Sequence, residues 1–135
     1  MTMEKPLPTP TPSTQPFWDA LREHQVRLQR CGECQTLIYY PRSHCTHCLS
    51  DNLAWKDVSG EGTLYTYTVA RRPTHPIFAD EVPQLIIVVE LDEGVRLTST
   101  FVNGVEDDLE IGMRLKPVFE DIPDHDVTML RYELA

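Results

Sequence analysis

Four cysteines are the only thiols in this 135-residue chain. They come as two pairs, Cys31-Gly32-Glu33-Cys34 and, ten residues later, Cys45-Thr46-His47-Cys48. Two residues between thiols let a tight turn aim both sulfurs, and backbone N–H groups, at one point. Two such turns put four sulfurs at the corners of a tetrahedron, the geometry Zn2+ accepts. The spacing therefore predicts Cys31, Cys34, Cys45 and Cys48 as the ligands of one ion. With every corner filled by sulfur, no position is left for water, so the ion is expected to be structural rather than catalytic.

Other uses of the thiols fit less well. Two disulfides need an oxidising compartment, and residues 1–14 lack the apolar core of a secretory signal. A dithiol redox site needs one Cys-x-x-Cys at a helix start, not two in loops. Iron in the same sulfur cage is the remaining rival, which would make the protein an electron carrier. His44 and His47 lie beside the pairs and are read as solvent-facing turn residues.

The elements that must hold these turns can be read around them. Residues 1–14 carry prolines at 6, 8, 10 and 12 and are expected to form an extended or disordered tail. Gln15 to His24 reads as a short helix with Pro16 in its first turn and Phe17, Trp18 and Leu21 on one broad face. So short a helix must dock its apolar face. The acceptor is either the ribbon of its own chain or a partner protein, and a partner is slightly favoured for Phe17, Trp18 and Leu21, because little core lies nearby in sequence. Gln25–Arg30 alternates as a strand into the first pair, Thr36–Tyr40 returns from it, and Leu53–Val58 leaves the second. Trp55 is expected to cap the sulfur cluster or the junction with the second half of the chain.

From Ser59 onward the pattern is β throughout. Thr63–Ala70, Gln84–Leu91, Val95–Val102, Met113–Phe119 and Val127–Leu134 read as five antiparallel strands, with Asp92-Glu93-Gly94 as a tight turn. Gln84–Leu91 is almost continuously apolar and is expected to be buried on both faces. Five such strands suggest a small closed barrel of the OB type, without exposed edges. The fold class is thus mainly β: a short N-terminal helix and a rubredoxin-like zinc ribbon over 15–56, then a five-stranded OB-fold barrel over 57–135.

The charge is divided unevenly. Residues 1–56 hold six Lys/Arg against five Asp/Glu, while residues 57–135 hold six against sixteen. A barrel this acidic repels a phosphate backbone, which argues against nucleic-acid binding, the alternative use of a ribbon joined to a barrel. No apolar run approaches the length of a membrane span. The protein is expected to be cytoplasmic and to bind neither nucleic acid nor membrane.

The order of elements, together with Leu28-Gln29-Arg30-Cys31-Gly32-Glu33-Cys34, Tyr40-Pro41-Arg42-Ser43-His44-Cys45-Thr46-His47-Cys48 and Gly60-Glu61-Gly62-Thr63-Leu64-Tyr65-Thr66-Tyr67-Thr68, resembles the zinc-ribbon/OB-fold acyl-CoA-associated family, domain of unknown function thirty-five. Glu90-Leu91-Asp92-Glu93-Gly94-Val95-Arg96-Leu97 and Ile111-Gly112-Met113 extend the likeness, which covers about residues 16–134. It implies a non-catalytic subunit of a hetero-oligomer, docked on a thiolase-fold enzyme: a thiolase, an acyltransferase or a lipid-transfer-type aldolase of steroid side-chain breakdown. It implies docking through the ribbon and helix, with the barrel holding or admitting an acyl-CoA. Carried over by position, the four cysteines are the metal ligands. Thr46 stands where the family often has proline, which alters the stiffness of that turn.

No nucleophile with a matched base is evident: there is no Gly-x-Ser-x-Gly and no cysteine outside the two pairs. A CoA ligand needs cations, and Arg71, Arg72 and His75, at a strand end beside a proline-rich loop, are the candidates for that contact. The simpler reading, and the preferred one, makes the arginines surface partners of the acidic face. Arg27, Arg30 and Arg42 flank the thiols, either to offset thiolate charge or to meet an acidic partner.

Overall fold

The computed structural model describes residues 5–135. The first four positions of the expected tail lie outside the described residues. From residue 5 to residue 11 the chain forms no helix or strand. Lys5 pairs with Asp80 at 3.1 Å and Glu81 at 2.8 Å, so this stretch runs along the second half of the chain. Helix α1, Gln15–Arg22, follows. Pro16 suits its first turn, where the missing N–H has no intrahelical acceptor.

Strands β1 (Val26–Cys31), β2 (Leu37–Ile38) and β3 (Leu53–Val58) form an antiparallel sheet in the order β2-β1-β3. The return strand is shorter than the sequence pattern suggests. After Ile38 the chain turns away so that Pro41 and Arg42 can reach Gln29, whose amide accepts from Arg42 N–H at 2.7 Å and donates to Arg42 C=O at 2.8 Å.

Strands β4 (Gly62–Ala70), β5 (Gln84–Leu91), β6 (Arg96–Thr100), β7 (Arg114–Asp121) and β8 (Thr128–Leu134) make the second sheet, in the order β6-β5-β4-β7-β8. A bulge between Leu64 and Thr66 bends β4. Gly62 allows the bend to be tight: a Cβ there would lie 2.3 Å from Glu90 C=O. The turn at Gly94 has φ +104, as its glycine anticipates.

Two expectations are corrected here. The barrel is not a fully hydrogen-bonded cylinder. Its strands curl as in an OB fold, but β6 and β8 are joined by one isolated bridge, Phe101 to Tyr132, with Val102 N–H donating to Tyr132 C=O at 2.8 Å. And β5 is not buried on both faces. Leu85, Ile87, Val89 and Leu91 point inward, while Ile86, Val88 and Glu90 are only half-buried, because no described helix or strand layer covers the barrel's outer wall there. β-Branched residues fit such a half-covered pleat as well as a covered one.

Ribbon and barrel share a single core. Phe17, Leu21, Val26, Leu28, Leu37 and Val58 join Leu64, Ile87, Leu115 and Tyr132 in one cluster, with Trp18 and Trp55 packed against it. The Tyr132 hydroxyl donates to Gly60 C=O at 2.5 Å, across the junction of the two parts. Gly60 makes that junction with φ +76, where a Cβ would meet Val26 Cγ2 at 2.7 Å.

Candidate metal centre and docking face

The two cysteine turns are built alike. In the first, Cys31 Sγ accepts from Glu33 N–H at 3.4 Å and Cys34 N–H at 3.5 Å; in the second, Cys45 Sγ accepts from His47 N–H at 3.3 Å and Cys48 N–H at 3.5 Å. Gln35 N–H and Leu49 N–H then return to the carbonyls of Cys31 and Cys45, each at 3.0 Å. β1 delivers the first turn and Gln29 fixes the chain leading to the second. Gly32 N–H donates to Asn52 C=O at 2.7 Å and ties the first turn to the segment that leaves the second.

All four sulfurs lie within 4.8 Å of one another, with Cys31–Cys48 and Cys34–Cys45 at 3.5 Å. Tetrahedral bonds of about 2.3 Å from sulfur to Zn2+ put sulfurs roughly 3.8 Å apart, so these side chains are positioned to bind a metal ion. Cys31 and Cys45 are buried, while Cys48 is exposed. Thr36 lies beside Cys34, its hydroxyl 3.1 Å from Sγ. That hydroxyl, and then the Thr36 backbone, hold the Cys34 thiol down to about 5, which favours the thiolate a metal binds. His44 and His47 are exposed beside the sulfurs, and His44 Nδ1 contacts Ser43 Oγ at 3.0 Å.

The helix face expected to meet a partner is turned inward. Phe17 is 2% exposed and Leu21 fully buried in the chain's own core. The reason is tertiary: β1, β7 and β8 come together beneath α1 and supply the apolar neighbours that the local sequence lacks. Trp18 is half-buried and stays at the surface, donating from Nε1 to the Tyr40 hydroxyl at 3.0 Å. Tyr40 also meets Phe17 edge-on, with ring centroids 5.6 Å apart.

Arg71, Arg72 and His75 do not converge. Arg71 makes a two-pronged contact with Glu106 at 2.8 and 2.9 Å. His75 Nδ1 accepts from Ile77 N–H at 3.1 Å and starts the 3-10 turn Pro76–Glu81. Arg72 is exposed and has no carboxylate partner among the described residues. A cavity lies elsewhere on the barrel. It is a groove of about 450 Å³ with Phe78, Leu85, Phe101 and Met129 on its walls, Arg131 as its cation and Pro6 at its side. Arg131 contacts Glu120 at 3.5 Å and Thr100 Oγ1 at 3.4 Å.

Three residues of the site escaped the sequence reading: Thr36, Gln29 and Leu49. Thr36 and Leu49 sit at fixed offsets from the cysteines, and that spacing was the signal for both. Gln29 carries none, because its partner lies thirteen residues away.

Comparison with known proteins extends these findings. Residues 18–54 match the family model described as the ChsH2 rubredoxin-like zinc ribbon domain, and residues 55–120 match the ChsH2 C-terminal OB-fold domain. A DUF35 domain-containing scaffold protein of Methanothermobacter thermautotrophicus is 33% identical over 102 residues, 75% of this chain and 76% of the relative. A probable enoyl-CoA hydratase alpha subunit of Thermomonospora curvata is 40% identical over 72% of this chain, which spans only 30% of that longer protein. Among solved structures, a chain of the Ltp2-ChsH2(DUF35) aldolase superposes with a TM-score of 0.80 at 31% identity, covering 95% of this chain and 98% of that one.

Proposed function

The chain belongs to the DUF35 family of zinc-ribbon/OB-fold proteins, and from that premise we propose that it is a non-catalytic accessory subunit of an acyl-CoA-processing enzyme. It docks on a thiolase-fold partner, of the thiolase, acyltransferase or lipid-transfer-type aldolase kind, and stabilises it. The observation that carries this reading is the superposition, over nearly the whole of both chains, on a chain of an aldolase named for two components, Ltp2 and ChsH2.

Cys31, Cys34, Cys45 and Cys48 hold Zn2+ in this reading. The bound ion supplies a cross-link between the two turns, not a reactive water, because its four corners are sulfur. The residues around it do the rest. Gln29 fixes the approach to the second turn, Thr36 favours the Cys34 thiolate, and the shared core carries the ribbon's orientation through to the barrel.

Acyl-CoA contact is a finer proposal. Arg72 has no carboxylate partner among the described residues and is the candidate cation for the CoA phosphates, while Phe78, Leu85, Phe101 and Met129, on the walls of the separate, mixed polar and apolar groove, are the candidates for contact with an acyl or pantetheine segment. Nucleic-acid binding has less support. Apart from Arg72, each cation of residues 57–135 is within salt-bridge distance of a carboxylate, which leaves few charges to meet phosphates.

The test is isolation of the tagged full chain from its native cell, with identification of what accompanies it. A stoichiometric thiolase-fold enzyme that loses activity or solubility without this chain supports the reading. An enzyme equally active and stable alone, or a thioester turned over by this chain by itself, overturns it. Metal analysis and colour separate zinc from iron, since Zn2+ is colourless and sulfur-bound iron is red.

A further inference from the structure

Leu49 closes the second cysteine turn with its backbone at φ 66. In that left-handed region a side chain crowds the neighbouring carbonyl, and glycine is the usual occupant. At 76% exposure, Leu49 is also the most exposed of the large apolar residues described. The matching place in the first turn is taken by Gln35, at φ 65, whose side-chain amide donates back to Gly32 C=O at 3.2 Å. Leu49 has no polar group with which to do this. The turn itself would be better served by glycine or asparagine, so leucine works against both the backbone and the solvent. Among the described residues, nothing accounts for it.

The same loop offers a setting for an outside contact. Arg42 is exposed and has no carboxylate partner among the described residues, while its backbone is clamped by Gln29. Tyr40 is 37% exposed, and its hydroxyl is held by Trp18. Of the arginines flanking the sulfurs, Arg27 is engaged by Asp57 at 2.6 Å. Arg30 and Arg42 donate to no sulfur and pair with no carboxylate among the described residues, and Arg30 Nε is buried without an acceptor. Among the described residues, Arg30 and Arg42 of the ribbon thus stay without a carboxylate in a chain of net charge −9, while the barrel's cations, except Arg72, face carboxylates.

We propose that Leu49 is a knob that seats in an apolar socket on the enzyme subunit, with carboxylates at the rim of the socket meeting Arg42. This rests on the accessory-subunit reading and specifies where and by what chemistry the contact is made. A loop anchored by the Gln29–Arg42 and Leu49–Cys45 hydrogen bonds, carrying one apolar anchor and one cation, has less freedom to lose on docking than an unanchored one, which suits it to be an energetic centre of an interface. A second copy of the chain is a poorer occupant. It also offers carboxylates, but two molecules of net charge −9 repel.

The enzyme that accompanies the wild-type chain is identified, purified and titrated against wild-type, Leu49→Gly and Arg42→Glu chains, with metal content and thermal midpoint measured for each. Leu49→Gly is expected to keep its metal and to melt at or above the wild-type temperature, yet to bind the enzyme at least tenfold more weakly. Arg42→Glu is expected to weaken binding and to abolish or reverse its salt dependence. Equal affinity of wild type and Leu49→Gly overturns the proposal while leaving the accessory role intact. So does a wild-type chain that self-associates through Leu49. If no enzyme accompanies the wild-type chain, the accessory role falls and the knob with it.

Discussion

Gln35 and Leu49 hold the same place in two copies of one turn. Each follows the second cysteine of its pair, each sits in the left-handed region, at φ 65 and 66, and each returns its N–H to the first cysteine's carbonyl at 3.0 Å. They differ in what the side chain repays. Gln35→Gly relieves crowding but loses the bond to Gly32 C=O, so its stability should stay within about 0.5 kcal/mol of wild type. Leu49→Gly loses no such bond and should gain up to about 1 kcal/mol. Urea unfolding of the three metal-loaded chains measures both.

Cys45 is 1% exposed and faces three other sulfurs. Cys45→Ala should lose the metal and cost several kcal/mol, because metal binding and folding of the ribbon are coupled. Removing the metal from the wild-type chain with a chelator should reproduce the effect. Elemental analysis and thermal unfolding check it. A wild-type chain that unfolds identically with and without metal would refute the coupling.

Phe17 belongs to the chain's own core, so its truncation should be felt without any partner. Phe17→Ala in the isolated chain is expected to cost about 3–5 kcal/mol. A partner-facing residue would leave the isolated chain's stability within about 0.5 kcal/mol of wild type. Denaturant midpoints of the lone chain separate the two cases.

The Asp121 carboxyl is held below its usual range by the Thr128 hydroxyl, which donates to it at 2.6 Å, and then by His24. A carboxyl whose folded pKa is depressed stabilises the fold above its unfolded pKa, near 3.9, and loses that contribution as pH falls through the lower folded value. Wild type should therefore melt above Asp121→Asn at pH 5–7, and the gap should close below about pH 4. Paired thermal melts across this range test the sign. Both chains carry the same metal site, so acid release of the metal cancels in the difference.

Gly62 lies against the β5 backbone, and any Cβ there meets Glu90 C=O at 2.3 Å. Backbone cannot swing aside as a flexible side chain can. Gly62→Ala is expected to cost about 1–3 kcal/mol, read from the thermal midpoint of the metal-loaded chain.

The convergence of the four cysteines was legible because it is local chemistry. Two Cys-x-x-Cys turns specify four converging sulfurs whatever else the chain does, and the order helix, ribbon, β domain followed from periodicity and turn residues. What the sequence could not reveal were meetings between distant residues. Phe17 and Leu21 read as exposed because their neighbours in sequence are polar, yet β1, β7 and β8 arrive beneath them. Arg71 could be read as a partner of the acidic face or of a CoA phosphate, and only the fold shows that Glu106, thirty-five residues away, holds it. The outward half of β5 read as core because apolar β-branched residues suit either side of a barrel wall. Residue type and spacing decide what a turn can bind; only the packing of remote segments decides which side chains remain at the surface to meet another molecule.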